Sequence, residues 1–310
     1  MKTLFIEQLA ADTGKLIDFF QVAQCDRKTK KGGQGYLALK LRDRTGEVDA
    51  KLWDIPDGLQ IQTGDFVKVD AETQTYREAL QLKLTRIRKA EPAEVVLDDF
   101  IPASKRDRNE MLTQVDGLVA SIANEQLRAS LAELVMDFDI RGWLRDCPAA
   151  MKKHQAYLGG LLEHILNIAS MVEGACKSYP VLNRDVLIAG AILHDIGKVF
   201  ELCYQDHIGY TRIGTLTGHI IQGSIIWFKY SSNLDKATRD HIEHIIASHH
   251  GQKEWGAAVL PMTREAFVFH LLDQMDSQMG ILDNLLAGDL DSEGFAPFDR
   301  ALNCTVWNGQ

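Results

Sequence analysis

Histidine and aspartate recur in four short stretches of the second half of this 310-residue chain. They are "GGLLEHIL" with His164, "LHDIGK" with His194, Asp195 and Lys198, "TGHIIQG" with His219, and "ASHHGQKEWG" with His249 and His250. Farther on, "FHLLDQMDSQM" offers Asp273 and Asp276. Neutral imidazole and carboxylate are natural ligands for divalent metals of hard to borderline character. Placing them among Leu, Ile and Ala costs several kcal/mol unless partners satisfy them, and metal binding is a partner that would explain all of them together. Neighbours on a helix diverge by about 100°, so His194 and Asp195 fit one ion poorly from mid-helix. A helix end, or a pair of ions, removes that difficulty. His249 and His250 raise the same question, and Gly251 directly after them signals a helix C-terminus. A lone histidine in an apolar helix is more often a hydrogen-bonded core residue, which is the reading for His207, His241, His244 and His270. His154, in "KKHQAYLGG", is a candidate substrate contact. For Asp195 the competing reading is an ion pair with Lys198, three residues on along the same face.

The elements that must position these residues change character near residue 91. Before it the chain reads as strands. Leu37, Leu39 and Leu41 alternate with Tyr36, Lys40 and Arg42, and after an "RTG" turn Val48, Ala50 and Leu52 lie opposite Lys51 and Trp53. With segments 14–26, 64–76 and 79–90 this makes five strands, the number in a small OB-type barrel. Segment 91–107, "EPAEVVLDDFIPASKRD", has two prolines and no period, and 93–107 of it reads as the linker. Helical spacing dominates from 108 on, over 108–122, 124–138, 156–178, 182–196, 216–230, 235–250 and 263–287, with a hairpin or loop at 199–216. The fold expected is therefore multidomain: an all-β OB-type barrel at 1–92 and an all-α unit at 108–310.

Composition narrows the function classes. The net charge is −9, with 45% hydrophobic and 25% charged residues, as in an ordinary soluble protein. Residues 1–91 carry 16 Lys+Arg and 14 Asp+Glu, whereas the remainder carries 18 and 29, and all ten histidines lie at or beyond residue 154. No apolar run has membrane-span or signal-peptide length. Five scattered cysteines without CxxC spacing point to reduced thiols in a cytoplasm. "KKGGQG" lacks the GK[ST] ending of a phosphate-binding loop. On the barrel, Tyr36, Lys40, Arg42, Lys51 and Trp53 share the outward face, and Lys28, Lys30 and Lys31 flank it in "DRKTKKGG". Aromatics between cations suit sequence-tolerant binding of single-stranded nucleic acid, although lysines on exposed strands also serve to discourage edge pairing.

The order His164, His194–Asp195, Asp273 resembles the HD-domain superfamily of metal-dependent phosphohydrolases, an all-helical fold. His219, His249 and His250 are similar to the additional ligands of its two-metal subset. "YLGGLLEHIL", "AGAILHDIGKVFEL", "GHIIQG" and "SHHGQKEWG", together with the barrel, resemble the YhaM-type 3′→5′ exoribonucleases over nearly the whole chain, most strongly over 154–280. The resemblance implies an HD core at about 154–290, with His164, His194, Asp195 and Asp273 as one metal site and His219, His249 and His250 completing a second. Asp273 is preferred to Asp276 because it follows the apolar "HLL"; Asp276 is then a supporting acid. Gln155 departs from the second histidine that the resemblance leads one to expect after His154.

On this reading Asp195, with two oxygens, bridges two divalent ions, expected to be Mn²⁺ with Co²⁺, Fe²⁺ or Ni²⁺ as alternatives. Lys198 then neutralises charge on a phosphate oxygen. The expected activity is removal of nucleoside monophosphates from the 3′ end of single-stranded RNA, with single-stranded DNA a further substrate. The alternatives are a cyclic-nucleotide phosphodiesterase, and a non-catalytic nucleic-acid-binding regulator with structural metals. No membrane partner is expected; a homo-oligomer is left open.

Overall fold

The structure is a computed structural model that describes residues 2–30, 32–77, 79–151, 154–205 and 207–309. It divides into two compact units, Met1–Pro102 with Gln205–His207, and Ala103–Tyr204 with Ile208–Gln310. No described helix is long and apolar enough to cross a membrane.

The first unit is a closed barrel of β1 (Lys15–Thr29), β2 (Gly35–Asp43), β3 (Gly46–Leu52), β4 (Phe66–Tyr76) and β5 (Ala79–Lys89), in the order β1-β2-β3-β5-β4. β1 is long enough to pair with both β4 and β2, and a register shift between Val22 and Gln24 bends it from one neighbour to the other. The period-two pattern resolves as the alternation requires. Leu39, Leu41, Val48, Ala50 and Leu52 join Phe20, Val67 and Leu82 in the core, while Lys40 faces Asp49 across the β2–β3 ladder. The expected linker is different in its first half. Short 3₁₀ turns at Pro92–Glu94 and Leu97–Asp99 lead to Phe100, which packs edge-on to Phe66 at 4.9 Å, so the chain stays with the barrel through Pro102. An aperiodic segment can be anchored by one aromatic side chain, and periodicity carries no sign of that.

The second unit begins with α1 (Arg108–Ala120), α2 (Glu125–Met136), α3 (Phe138–Asp146), α4 (Gly160–Ser178) and α5 (Arg184–Leu193). After α6 (Lys198–Glu201) and a hairpin of β6 (Leu202–Cys203) and β7 (Gly209–Tyr210) come α7 (Arg212–Tyr230), α8 (Lys236–Ser248) and α9 (Arg264–Leu286). Side-chain caps start most of these helices: Asp107, Asn124, Asp137, Asn183, Thr211, Asp235 and Thr263 each accept from a backbone N–H of the first turn. Such caps contribute about 1 kcal/mol each. α5 is buried on every side from Val186 to Leu193, the mark of a central helix, and it delivers His194 to the middle of the unit. Several elements depart from the helical spacing, and α4 starts at Gly160 rather than at 156. α3 is an additional short helix with only Ile140 and Leu144 buried, too brief a pattern to register. α5 stops at Leu193, and α7 starts at Arg212 but has non-helical backbone at Gly218.

Candidate metal centre and nucleic-acid face

His194 is the C-cap residue of α5, and this helix end is what lets its ring and the Asp195 carboxylate face one place, 3.3 Å apart from Nε2 to Oδ2. His164, within α4, brings its Nε2 to 3.2 Å from that of His194. Asp273, from α9, places Oδ1 3.1 Å from His164 Nε2 and 3.9 Å from His194 Nε2. His219, His249 and His250 form a second group, and in each group the ligand atoms lie within 4.8 Å of one another. Asp195 stands between them. Its Oδ2 lies 3.7 Å from His164 Nε2, while Oδ1 lies 3.4 Å from His219 Nε2 and 3.7 Å from His249 Nε2.

The donor set fits metal ions. Asp195 Oδ1, His219 Nε2, His249 Nε2 and His250 Nδ1 are buried without hydrogen-bond partners, and a buried unsatisfied polar atom costs about 1–3 kcal/mol. A cation accepted by these lone pairs satisfies all four. Ring tautomers agree. His194 Nδ1 donates to the carbonyls of Gly190 and Ala191 at 3.2 Å each, and His249 Nδ1 to the Ile246 carbonyl at 2.9 Å. A proton held on Nδ1 leaves the lone pair on Nε2, the atom turned toward the cluster. Burial holds the His249 imidazole well below its ordinary pKa, and so neutral.

Asp276 lies behind His164. Its Oδ2 accepts from His164 Nδ1 at 2.6 Å and from Gln155 Nε2 at 2.8 Å, and its Oδ1 accepts from Asn167 Nδ2 at 2.9 Å. Burial opposes a charge on His164, but the Asp273 and Asp276 carboxylates at its two nitrogens lift its pKa to about 9. A metal held at Nε2 would compete with that proton. Gln155, at the position where a second histidine was expected, holds Asp276 from a left-handed backbone with φ 39°.

Lys198 Nζ lies 2.5 Å from Asp195 Oδ2 in a buried ion pair. Burial depresses its pKa, yet the Asp195 carboxylate more than offsets this and the ammonium is held above its usual value. His154 sets its ring edge-on to His164 at 5.5 Å, leaves Nδ1 unpartnered, and is driven to a pKa of about 4, chiefly by burial. The remaining histidines have other partners: His241 meets Thr263 and Glu265, His244 accepts from the Met262 N–H, and His270 donates to the His249 carbonyl.

On the barrel, Tyr36 and Trp53 pack at 4.8 Å between ring centroids. Lys30 and Lys51 lie over the Trp53 ring at 5.0 and 5.4 Å. Lys51 also covers Tyr76 at 4.5 Å, and Arg77 lies 5.5 Å from that ring. An adjoining groove of about 380 Å³ is lined by Lys28, Lys40, Lys51, Tyr76 and Arg77, among others. Arg42 is not among the groove-lining residues: its Nε donates to Gln21 Oε1 at 2.6 Å, toward the other end of β2. Lys31 lies outside the described residues.

The HD domain family matches residues 161–278, and the OB-fold nucleic acid binding domain family matches residues 22–90. Proteins named 3'-5' exoribonuclease YhaM from Listeria innocua and Bacillus subtilis are each 33% identical to this chain, and that from Bacillus velezensis 34%, each match spanning 89% of both chains. The chain belongs to the YhaM family. In this YhaM-family member, spacing alone did not find Asn167, Glu201, Tyr76 or Arg77. Asn167 lies three residues after His164, and Glu201 three after Lys198, both at helical-turn spacing. Tyr76 and Arg77 sit at the end of β4 before the turn into β5, where alternation gives no guidance.

Proposed function

We propose that this YhaM-family chain is a metal-dependent 3′→5′ exoribonuclease that shortens single-stranded RNA, and single-stranded DNA where offered, to nucleoside monophosphates. The observation that carries the reading is Asp195, with one oxygen toward each of two ligand groups, its Oδ1 and three nearby histidine nitrogens being buried without hydrogen-bond partners. His164, His194 and Asp273 would hold one ion, and His219, His249 and His250 the other, with Asp195 serving both. Mn²⁺ is the favoured ion, ahead of Co²⁺, Fe²⁺ and Ni²⁺. When bound, such ions polarise a phosphodiester and make water a stronger nucleophile.

The chain's own residues supply the rest. Asp276, Gln155 and Asn167 hold the His164 ring still. Lys198, buried beside Asp195, keeps positive charge where negative charge develops on the substrate phosphate. His154, neutral at pH 7, offers a ring nitrogen to a substrate hydroxyl. On the barrel, Tyr36, Trp53 and Tyr76 would stack bases, while Lys28, Lys30, Lys40, Lys51 and Arg77 neutralise phosphates. A cytoplasmic location accords with this reading, with RNA as the substrate and five cysteines that lack CxxC spacing.

The test is purified protein with Mn²⁺ and 5′-end-labelled single-stranded RNA, with Asp195→Ala beside it. A ladder shortening from the 3′ end, absent in the variant, is the expected result. Intact RNA with cleavage of a cyclic dinucleotide would overturn the reading, as would binding without any cleavage.

A further inference from the structure

We infer that Glu201 is the positioning residue for His219, and that the break in α7 exists to bring the two together; this rests on the reading of His219 as a metal ligand. His194 and His249 sit at the ends of their helices and find acceptors for Nδ1–H among the carbonyls of their own last turns. His219 is at the opposite kind of place. Gly218, with φ 69° and ψ 167°, divides α7, so His219 begins the second segment. A residue at a helix start has no carbonyl of its own helix behind it, and its N–H lacks an intrahelical partner. Both needs fall on Glu201. Its Oε1 accepts from the His219 backbone N–H at 3.1 Å and from His219 Nδ1 at 3.1 Å. A carboxylate suits the start of a helix electrostatically. By holding the proton on Nδ1 it turns the lone pair of Nε2 toward Asp195 Oδ1, 3.4 Å away.

The surroundings leave Glu201 little freedom. Its backbone carbonyl accepts from the Thr211 N–H at 2.9 Å, and Thr211 Oγ1 donates to the Phe200 carbonyl at 2.6 Å, tying the start of α7 to α6. Gly214 makes that approach sterically feasible: a Cβ there would fall 2.2 Å from the Glu201 carbonyl oxygen. Gly218 takes a backbone, φ 69° and ψ 167°, that is essentially confined to glycine. The first two glycines of "GTLTGHIIQG" thus serve the histidine that follows them, through a glutamate that sequence spacing placed in a different motif.

The test uses the full chain in three forms: wild type, Glu201→Ala and Glu201→Gln. Imidazole ¹⁵N shifts in the metal-free protein report the His219 tautomer, and calorimetric Mn²⁺ titration reports the number and affinity of ions. Wild type is expected to hold the proton on Nδ1 and to bind two ions. Glu201→Ala should lose the single tautomer and bind its second ion about 10- to 100-fold more weakly. Glu201→Gln should restore both, because its amide oxygen accepts the same two hydrogen bonds. Circular dichroism checks the fold of each variant. A wild-type His219 protonated on Nε2 overturns the inference without recourse to any variant. So does a folded Glu201→Ala that retains both the tautomer and the second ion. A wild type that binds no second ion overturns the underlying reading of the site.

Discussion

Lys51 and Lys198 carry the same charge in opposite surroundings. Lys51, on the barrel, is partly exposed and shares its ammonium between the rings of Trp53 and Tyr76. Lys198, in the helical unit, is buried against Asp195 at 2.5 Å. The whole molecule follows that division. The barrel face is a wet surface of interchangeable cations and aromatics, each worth little alone. The histidine cluster is largely buried, and in it each charge depends on a specific partner, so that removing one strands another. Function in the first region should fall gradually under mutation, and in the second abruptly.

The largest effect should come from Asp195→Ala, which removes the carboxylate shared by both ligand groups. Loss of several kcal/mol of transition-state stabilisation predicts a fall in kcat of at least about 10³-fold, read in a single-turnover RNA degradation assay. An Asp195→Ala enzyme within tenfold of wild type would erase the contrast between the two regions. Asp276→Ala is next. It leaves the ligands in place but frees His164 Nδ1, and should weaken Mn²⁺ binding about 10- to 100-fold by calorimetry. Trp53→Ala should raise KM for long RNA by roughly sixfold or more, about 1 kcal/mol of stacking, while kcat on a short substrate is unchanged. A loss of kcat there would mean that the barrel does more than hold the strand. The smallest effect is a comparison within the barrel. Lys40→Ala should lower the slope of log affinity against log salt by about 0.7, one phosphate contact on a single strand. Arg42→Ala, bonded to Gln21 outside the groove, should change it less; an equal change would extend the binding face along β2.

Much of this organisation was legible in local pattern. Leu37, Leu39 and Leu41 announce a strand because a pleat has a period of two, and all three are buried. Adjacent His194 and Asp195 called for a helix end or a pair of ions, whereas helical spacing ran on to 196, and the structure shows α5 stopping at Leu193. Phe100 gave no such signal, since one buried aromatic in an aperiodic stretch has no period. Gly218 likewise reads in sequence as one glycine among several, and only its φ reveals the break. The residues supporting the site were hidden for a similar reason. Asp276 and Gln155 are 121 residues apart, and no spacing rule connects them.

The sequence by itself determined the residue types, their order and the faces they take: histidines and aspartates able to hold a metal from residue 154 on, and an aromatic and cationic strand face before residue 91. These follow from side-chain chemistry and from backbone periodicity, which are local. The tertiary structure alone decided which atoms meet. It turned the two oxygens of Asp195 toward different histidine groups, set Lys198 against Asp195, put Asp276 behind His164 rather than beside Asp273, and joined Glu201 to His219. The physical reason is that the site draws on α4, α5, α7, α8 and α9, and periodicity states which face of a helix is buried but not which neighbour it is buried against.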